Sequence, residues 1–231
     1  MPKKMSEEAK EKAKRNTIDE YYQAWIQSQE YTTASHTTCS FTDWKSGRLM
    51  HFLGLNQFYA YLILRYKDYV LDVYEQYPLN LDETNNIADS LGYKRFNHGT
   101  KRMLTHLLVK DKSGHYIAYF VTSSRKSLDP VKHRRVVEKC YIEYQYWKSH
   151  NIPWRIIFTD QFVNKREAIN IKICSEFWNK DNVRTKEELL KHLIIHRAII
   201  FPLSQVINFN EEASEIITDD LFEKYLENKK F

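Results

Sequence analysis

The stretch VLDVYEQYPL, residues 70–79, carries the most information about the fold of this chain. Its valine, leucine and tyrosine side chains are typical of a β-strand. One carboxylate, Glu75, stands at the end of this run, where the chain enters Gln76, Tyr77 and Pro78. We therefore predict a strand at 70–76 that delivers a single acidic side chain to its end.

The segments around this strand predict an α/β architecture, a mixed sheet flanked by helices. Residues 44–66 form a largely apolar run that we interpret as a buried helix after a turn at Ser46 and Gly47. Residues 103–122 alternate as a hairpin would, with a charged, glycine-containing turn at 111–114. Asp129 and Pro130 are typical of a helix N-terminus, and the short apolar run at 154–160 predicts a final buried strand. The order of these elements indicates helices on both sides of a sheet.

Three regions follow from this pattern. Residues 1–34 are charged and then aromatic, which favours a solvated helix that docks through Tyr21, Trp25 and Tyr31. Residues 35–163 contain the predicted sheet. Residues 164–231 become more polar, with helices predicted at 164–180, 185–198 and 217–228, and are interpreted as a small helical C-terminal appendage.

Composition narrows the class of protein. The chain of 231 residues is long enough to bury a core, and its three cysteines show no spacing of a disulfide framework or a zinc finger. We find no apolar run of about 20 residues, so the sequence predicts a cytoplasmic protein without a membrane anchor. The net charge of +5 permits nucleic-acid binding without proving it. The aromatic share of 14% suits base stacking, although a buried core is the more common use of such residues.

Six blocks of this chain, taken in their order and spacing, resemble the TnsA family, the endonuclease subunit of heteromeric cut-and-paste bacterial transposases. The resemblance covers roughly residues 42–180. The blocks are WKSGRLMHFL, VLDVYEQYPLNLDETNNIADSLGYK, MLTHLLV, IAYFVTSS, VVEKCYIEYQYW and IPWRIIFTD. The resemblance implies a restriction-endonuclease-like fold. In that fold a helix acid, a strand aspartate and a glutamine–lysine pair two residues apart converge on a magnesium ion.

Carried over position by position, the resemblance implies that this centre is degenerate. The family's helix glutamate falls on Gln57, and the glutamate of its EQxPL block is kept as Glu75. The family aspartate falls on His106, and the glutamine and lysine of the next strand fall on Phe120 and Thr122. We therefore expect a pseudonuclease with Glu75 as the retained principal carboxylate and no bound metal. A bulky apolar ring such as Phe120 disfavours a hydrated cation.

Other carboxylates and imidazoles leave alternatives open. Glu143 matches a recurrent family glutamate, with a salt bridge as the competing interpretation. An active nuclease with an atypical site of Glu75, His106 and Glu143 would need magnesium or manganese as its cofactor. His192 and His196 are spaced to share a metal on one helix face, but the apolar residues between them favour an ordinary packed helix.

Basic side chains border the predicted centre and suggest a partner. These are Lys45, Arg48, Arg125, Lys126, Lys132, His133, Arg134 and Arg135. Apart from His133 we predict that they contact DNA phosphates, with a merely solvated face as the alternative. The family resemblance adds a TnsB-like transposase or a TnsC-like ATPase as partners. A DNA-binding regulator outside transposition is the remaining alternative, and the neighbouring genes would separate it from a transposition role.

Overall fold

The computed structural model describes residues 22–28 and 37–229, and within them two sheets are accompanied by helices. The strands are β1 (Cys39–Thr42), β2 (Leu49–Phe52), β3 (Val70–Pro78), β4 (Leu104–Asp111), β5 (Tyr116–Thr122) and β6 (Trp154–Phe158). The α-helices are α1 (Leu55–Tyr66), α2 (Leu81–Ser90), α3 (Arg134–Ser149), α4 (Thr159–Phe162), α5 (Lys165–Ser175), α6 (Lys186–Ile195), α7 (Phe209–Ile216) and α8 (Asp219–Lys229). Short 3₁₀ turns occupy Phe96–Gly99, Arg125–Leu128 and Lys180–Asn182. Within the described ranges no helix has the length and apolar composition needed to cross a bilayer.

The larger sheet has the order β3-β4-β5-β6 and confirms the predicted mixed α/β fold. Strands β3, β4 and β5 are antiparallel neighbours, and β6 is parallel to β5. The predicted hairpin turn is present: the Asp111 carboxylate accepts the N–H groups of Ser113 and His115 at 2.8 and 2.9 Å, and Gly114 adopts a φ of +85°. A glycine suits that left-handed conformation because it has no side chain to clash.

The two faces of this sheet bury separate hydrophobic clusters because successive side chains of a strand point to opposite sides. The first face packs on α1 and on α5–α7, and the second on α2 and α3. Sheet residues of the first face include Val73, Leu107, Val109, Tyr119 and Val121. Sheet residues of the second face include Tyr74, Leu108 and Ala118.

The buried helix predicted after Ser46 and Gly47 begins later than predicted, because the second strand of a hairpin follows that turn. Strands β1 and β2 pair antiparallel, and α1 begins only at Leu55. The turn between the strands is fixed by Asp43, whose carboxylate accepts the N–H groups of Lys45 and Ser46 at 2.7 and 2.8 Å. The same carboxylate pairs with the buried guanidinium of Arg65 at 2.6 Å. A buried charge pair of this kind specifies the position of the hairpin relative to α1, since either partner alone would be a costly buried charge.

The predicted start of the next helix at Asp129 and Pro130 is also wrong. Helix α3 begins at Arg134, four residues later. The Asp129 carboxylate instead accepts the N–H groups of Val131 and Lys132, at 2.9 and 3.2 Å, in a turn. Aspartate is equally suited to both roles, because its short side chain reaches backbone N–H groups two or three residues on.

The structure describes part of the predicted N-terminal region and nearly all of the predicted C-terminal one. The predicted N-terminal helix lies largely outside the described residues; no α-helix occurs in 22–28, where Tyr22 is buried in the cluster of the second face. Helices α5 and α6 fall within the first two predicted C-terminal helices, α8 matches the third but ends one residue beyond it, and α7 lies outside all three. Helices α5, α6 and α7 contribute to the same cluster as α1, so this region packs against the sheet domain. The division at residue 164 stays a prediction.

Candidate functional site

Glu75 lies at the centre of a buried ion pair rather than at an open pocket. Its side chain is fully buried, and Arg48 donates from Nη1 to Glu75 Oε2 at 2.7 Å. The His51 backbone N–H donates to Oε1 at 3.1 Å, so both oxygens have partners from the β1–β2 hairpin. Arg48 Nη2 also donates to the Val73 carbonyl at 2.6 Å. The carboxylate therefore joins the hairpin to β3.

Burial raises the pKa of Glu75 to about 7, and the Arg48 guanidinium opposes that rise. Tyr22 contributes to the same junction, since its hydroxyl donates to the Glu75 carbonyl at 2.6 Å. The neighbouring Gln76 has a φ of 51°, a conformation that non-glycine residues seldom adopt. Its side-chain Nε2 donates to the His51 carbonyl at 2.6 Å, which holds this kink of β3 against the hairpin.

His106 and Phe120 meet at the point where β4 and β5 separate. The last paired residues of that ladder are Leu107 and Tyr119. Beyond them the His106 ring takes the place of a backbone acceptor, because its Nδ1 accepts the Val121 N–H at 2.8 Å. The ring also stacks on Phe120, with centroids 4.7 Å apart and an interplanar angle of 27°. Part of the ring surface remains exposed, yet its surroundings desolvate it and lower its pKa to about 4.

Thr122 and Gln57, to which the resemblance assigns two further catalytic positions, carry no ionisable group. Thr122 pairs with Phe158 in the parallel ladder and is partly buried. Gln57 lies in the first turn of α1, and its Oε1 is shielded from solvent without a hydrogen-bond partner among the described residues. Neither side chain supplies the charge that the family's lysine and helix glutamate would supply.

Glu143 lies inside the second face of the sheet domain. Its Oε1 accepts the Thr105 hydroxyl at 2.9 Å, and Thr105 in turn accepts the indole N–H of Trp147 at 2.7 Å. Burial raises the pKa of Glu143 to about 7. The nearby indole of Trp154 opposes this rise, although its Nε1 makes no hydrogen bond of normal geometry with any described residue. No local pattern in the sequence indicates Thr105 as the partner of Glu143.

These residues do not fit a magnesium site. Glu75 is saturated by Arg48 and His51, Glu143 bonds Thr105, and His106 uses Nδ1 for Val121. The three groups share no hydrogen-bond partner. Across residues 22–28 and 37–229, no three His, Cys, Asp or Glu side chains are grouped so that they could hold a metal ion. Magnesium requires several oxygen ligands in octahedral geometry, which this arrangement does not offer.

The predicted DNA-contacting residues divide into engaged and exposed groups. Arg48 is used by Glu75, Lys45 Nζ donates to the Arg65 carbonyl at 3.0 Å, and Arg134 and Arg135 pair with Glu138 at 2.9 and 3.1 Å. The exposed side chains that form no ion pair with any described residue are Arg125, Lys126 and Lys132. They lie in the segment between β5 and α3, beside the end of the strand that carries Phe120 and Thr122.

The imidazoles of His192 and His196 are engaged with backbone carbonyls. His192 Nδ1 lies 2.7 Å from the Phe177 carbonyl, and His196 Nε2 lies 2.8 Å from the Trp178 carbonyl. The His196 ring also stacks on Trp178 at 3.9 Å. These contacts agree with the interpretation of an ordinary packed helix.

Comparison with known proteins places the sheet domain in a family. A family described as TnsA-like endonuclease N terminal matches residues 67–160, which run from the start of β3 to just after β6. The transposon Tn7 transposition protein TnsA of Escherichia coli is 31% identical over 156 residues, covering 65% of this chain and 55% of that protein. The chain thus spans about half the length of the curated relative it matches. With these matches and the observed mixed sheet, the sheet domain of this chain belongs to the TnsA family.

Proposed function

We propose that this protein is a non-cleaving TnsA-like subunit that binds DNA in a transposition-related complex. The observation that carries the proposal is the stacking of His106 on Phe120 at the positions of the family's aspartate and glutamine. Loss of groups that act on the transition state commonly removes several kcal/mol of its stabilisation. The retained Glu75 does not compensate, because its carboxylate neutralises Arg48.

The exposed cations between β5 and α3 support the DNA-binding part of this proposal. Arg125, Lys126 and Lys132 leave three positive charges free of ion pairs with described residues, in the segment that follows the strand of Phe120 and Thr122. The Arg125 guanidinium lies 5.0 Å from the Phe158 ring centroid, which holds it at the end of β6. Phosphate contacts need only cations and give affinity with little sequence preference. We expect this protein to bind duplex DNA. We expect its transposition-related complex to contain a TnsB-like transposase or a TnsC-like ATPase as well.

The test is the affinity of the full chain for a fluorescent 30-base-pair duplex as a function of salt. We expect Arg125→Glu combined with Lys126→Glu to weaken binding and to lower the slope of log K against log salt by about 2. The matched control combines Lys180→Glu with Arg184→Glu, which has the same charge change at exposed C-terminal positions. Unchanged affinity and salt slope in the first variant would show that DNA does not contact this segment.

A further inference from the structure

Six aromatic rings from β4, β5, β6, α3 and the loop after α2 form a continuous series on one side of the molecule. We call it the aromatic strip: His106, Phe120, Trp154, Tyr144, Tyr141 and Tyr93. Neighbouring ring centroids lie 4.7, 6.4, 5.8, 5.9 and 6.4 Å apart in that order. The strip therefore begins at the degenerate centre and runs along α3 to the loop after α2.

One end of the strip reaches solvent at Tyr141, whereas Trp154 and Tyr93 also pack against the second-face cluster. On the same helix α3, Tyr146 and Trp147 are only 6% and 2% exposed and belong to the second-face cluster. Tyr141 by contrast is 41% exposed, and the other five residues of the strip are partly buried. Helix α3 thus has a core aromatic face and a second aromatic face that reaches solvent. Neighbouring aromatic side chains that reach solvent offer a candidate binding surface.

Positive charge accompanies the strip over its length. Lys148 Nζ lies 6.0 Å from the Tyr144 ring centroid, and Lys139 Nζ lies 4.4 Å from that of Phe96, beside Tyr93 in the loop after α2. Lys94 and Lys101 of that loop are exposed and form no ion pair with any described residue. The acidic Asp89 and Glu138 nearby are already neutralised by Arg95, Arg134 and Arg135. The charge beside the strip therefore complements a polyanion.

Aromatic rings interleaved with cations suit a strand of nucleic acid whose bases are unpaired. Such bases stack on aromatic side chains while cations contact the phosphates, with little dependence on sequence. A duplex cannot use the rings in this way, because its bases are stacked on one another and present only their edges in the grooves. The flanking lysines favour a polyanionic ligand over an uncharged protein surface.

We propose that the aromatic strip binds single-stranded nucleic acid. The proposal rests on the proposed function, since it adds to the duplex contact of Arg125 and Lys126 a neighbouring site for an unpaired strand. The bases would stack from His106 and Phe120 toward Tyr141, and Lys139, Lys148 and Lys94 would contact the phosphates. The substrate class is an exposed single strand, such as a displaced or recessed DNA end.

The test compares the affinity of the full chain for fluorescent dT20 and for a 20-base-pair duplex. Tyr141→Leu keeps an apolar side chain but removes the ring, and should weaken dT20 binding by a factor of about five or more. Tyr93→Leu combined with Tyr141→Leu should weaken it further, whereas Tyr141→Phe should retain it. Duplex affinity should stay within about twofold of the natural chain in all three. Tyr69→Leu is the matched control, because Tyr69 is 49% exposed and lies outside the strip.

Two outcomes overturn the proposal in distinguishable ways. Salt-dependent duplex binding together with dT20 affinity that ignores the strip substitutions would retain the proposed function and assign the strip to packing or to a protein partner. Absence of binding to both DNAs would remove the proposed function as well. Circular dichroism of each variant checks that the substitutions leave the fold intact.

Discussion

The imidazole of His106 lies face to face with Phe120, 4.7 Å between ring centroids, while its Nδ1 accepts the Val121 N–H at 2.8 Å. The His106 side chain thus connects β4 to β5 through two contacts, a ring stack and a hydrogen bond. Because Nδ1 accepts, the neutral ring carries its proton on Nε2. A hydrated cation in this place would have to displace both contacts, so the pair stabilises a closed centre.

His106 should make the fold sensitive to acid. Its folded pKa of about 4 lies below the ordinary value of 6.5, so the unfolded chain binds a proton first as pH falls. The contribution of neutral His106 to the free energy of unfolding is fully present above pH 6.5. It is lost as pH falls toward 4, by up to roughly 3 kcal/mol. In His106→Asn the amide oxygen can replace Nδ1 as acceptor without titrating. We expect the free energy of unfolding of this variant, measured in urea, to fall less between pH 7 and pH 4.

His115→Ala serves as the control for this pH dependence, because the His115 side chain is 79% exposed on the hairpin turn. Its substitution should leave the slope of stability against pH nearly unchanged. Equal slopes for the natural chain and His106→Asn would mean that His106 is not desolvated.

The Arg48–Glu75 pair should contribute structure rather than DNA contact. Arg48→Met leaves the buried Glu75 carboxylate without its cation, which commonly costs about 3 kcal/mol or more. The folded pKa of Glu75, about 7, already lies above the ordinary value of 4.5, and loss of Arg48 should raise it further. Stability is therefore retained at acidic pH, where Glu75 is protonated, and lost as pH rises. We expect a larger destabilisation at pH 8 than at pH 5 in urea unfolding.

Arg134→Met provides the matched comparison for Arg48→Met. Arg134 also pairs with a glutamate, at 2.9 Å, but its side chain is 79% exposed. An exposed pair contributes less than about 1 kcal/mol, so this variant should be near neutral at both pH values. The account of the buried pair is contradicted if Arg48→Met is equally mild, or if its effect does not depend on pH.

Restoration of the family residues should recreate metal binding. The ring contact between His106 and Phe120 shows that these two positions converge. His106→Asp, Phe120→Gln and Thr122→Lys together would place an aspartate beside a glutamine, with a lysine two residues along the same strand face. We expect this triple variant to bind magnesium or manganese measurably better than the natural chain in isothermal titration calorimetry.

The interpretation of that titration depends on folding. Circular dichroism of the triple variant should match that of the natural chain, since the replaced rings are only partly buried. Negligible heat from a folded triple variant would contradict the alignment of these three positions. Added Gln57→Glu would then test whether the missing helix acid is the reason.

The sequence predicted the sheet better than it predicted the surroundings of the sheet. The strand at Glu75, the hairpin turn at Gly114 and the final strand were set by local patterns, and all three are present. The β1–β2 hairpin was missed because Leu49–Phe52 is as apolar as the helix that follows. The ion pair between Asp43 and Arg65 positions the hairpin against that helix, and the two residues are far apart in the sequence. Pairing over such sequence distances leaves no local signal.

The site showed the same limit. The family resemblance pointed to Glu75, His106 and Phe120 as site residues. It did not indicate that Arg48 forms an ion pair with Glu75, because nothing in the sequence shows that the two side chains meet. The spacing of Tyr141 and Tyr144 was visible as part of a helical pattern. Their connection to Phe120 through Trp154 depends on β6 pairing with β5, which only the tertiary structure shows.

The most direct test of the central claim is cleavage of supercoiled plasmid by the purified chain with magnesium or manganese. We predict no nicking above the protein-free control at either metal, because the resemblance places the family's aspartate and glutamine at His106 and Phe120, whose rings stack on each other. Nicking that is lost in Glu75→Ala or His106→Ala, but retained in His115→Ala, would contradict the account and establish an active nuclease with an atypical site.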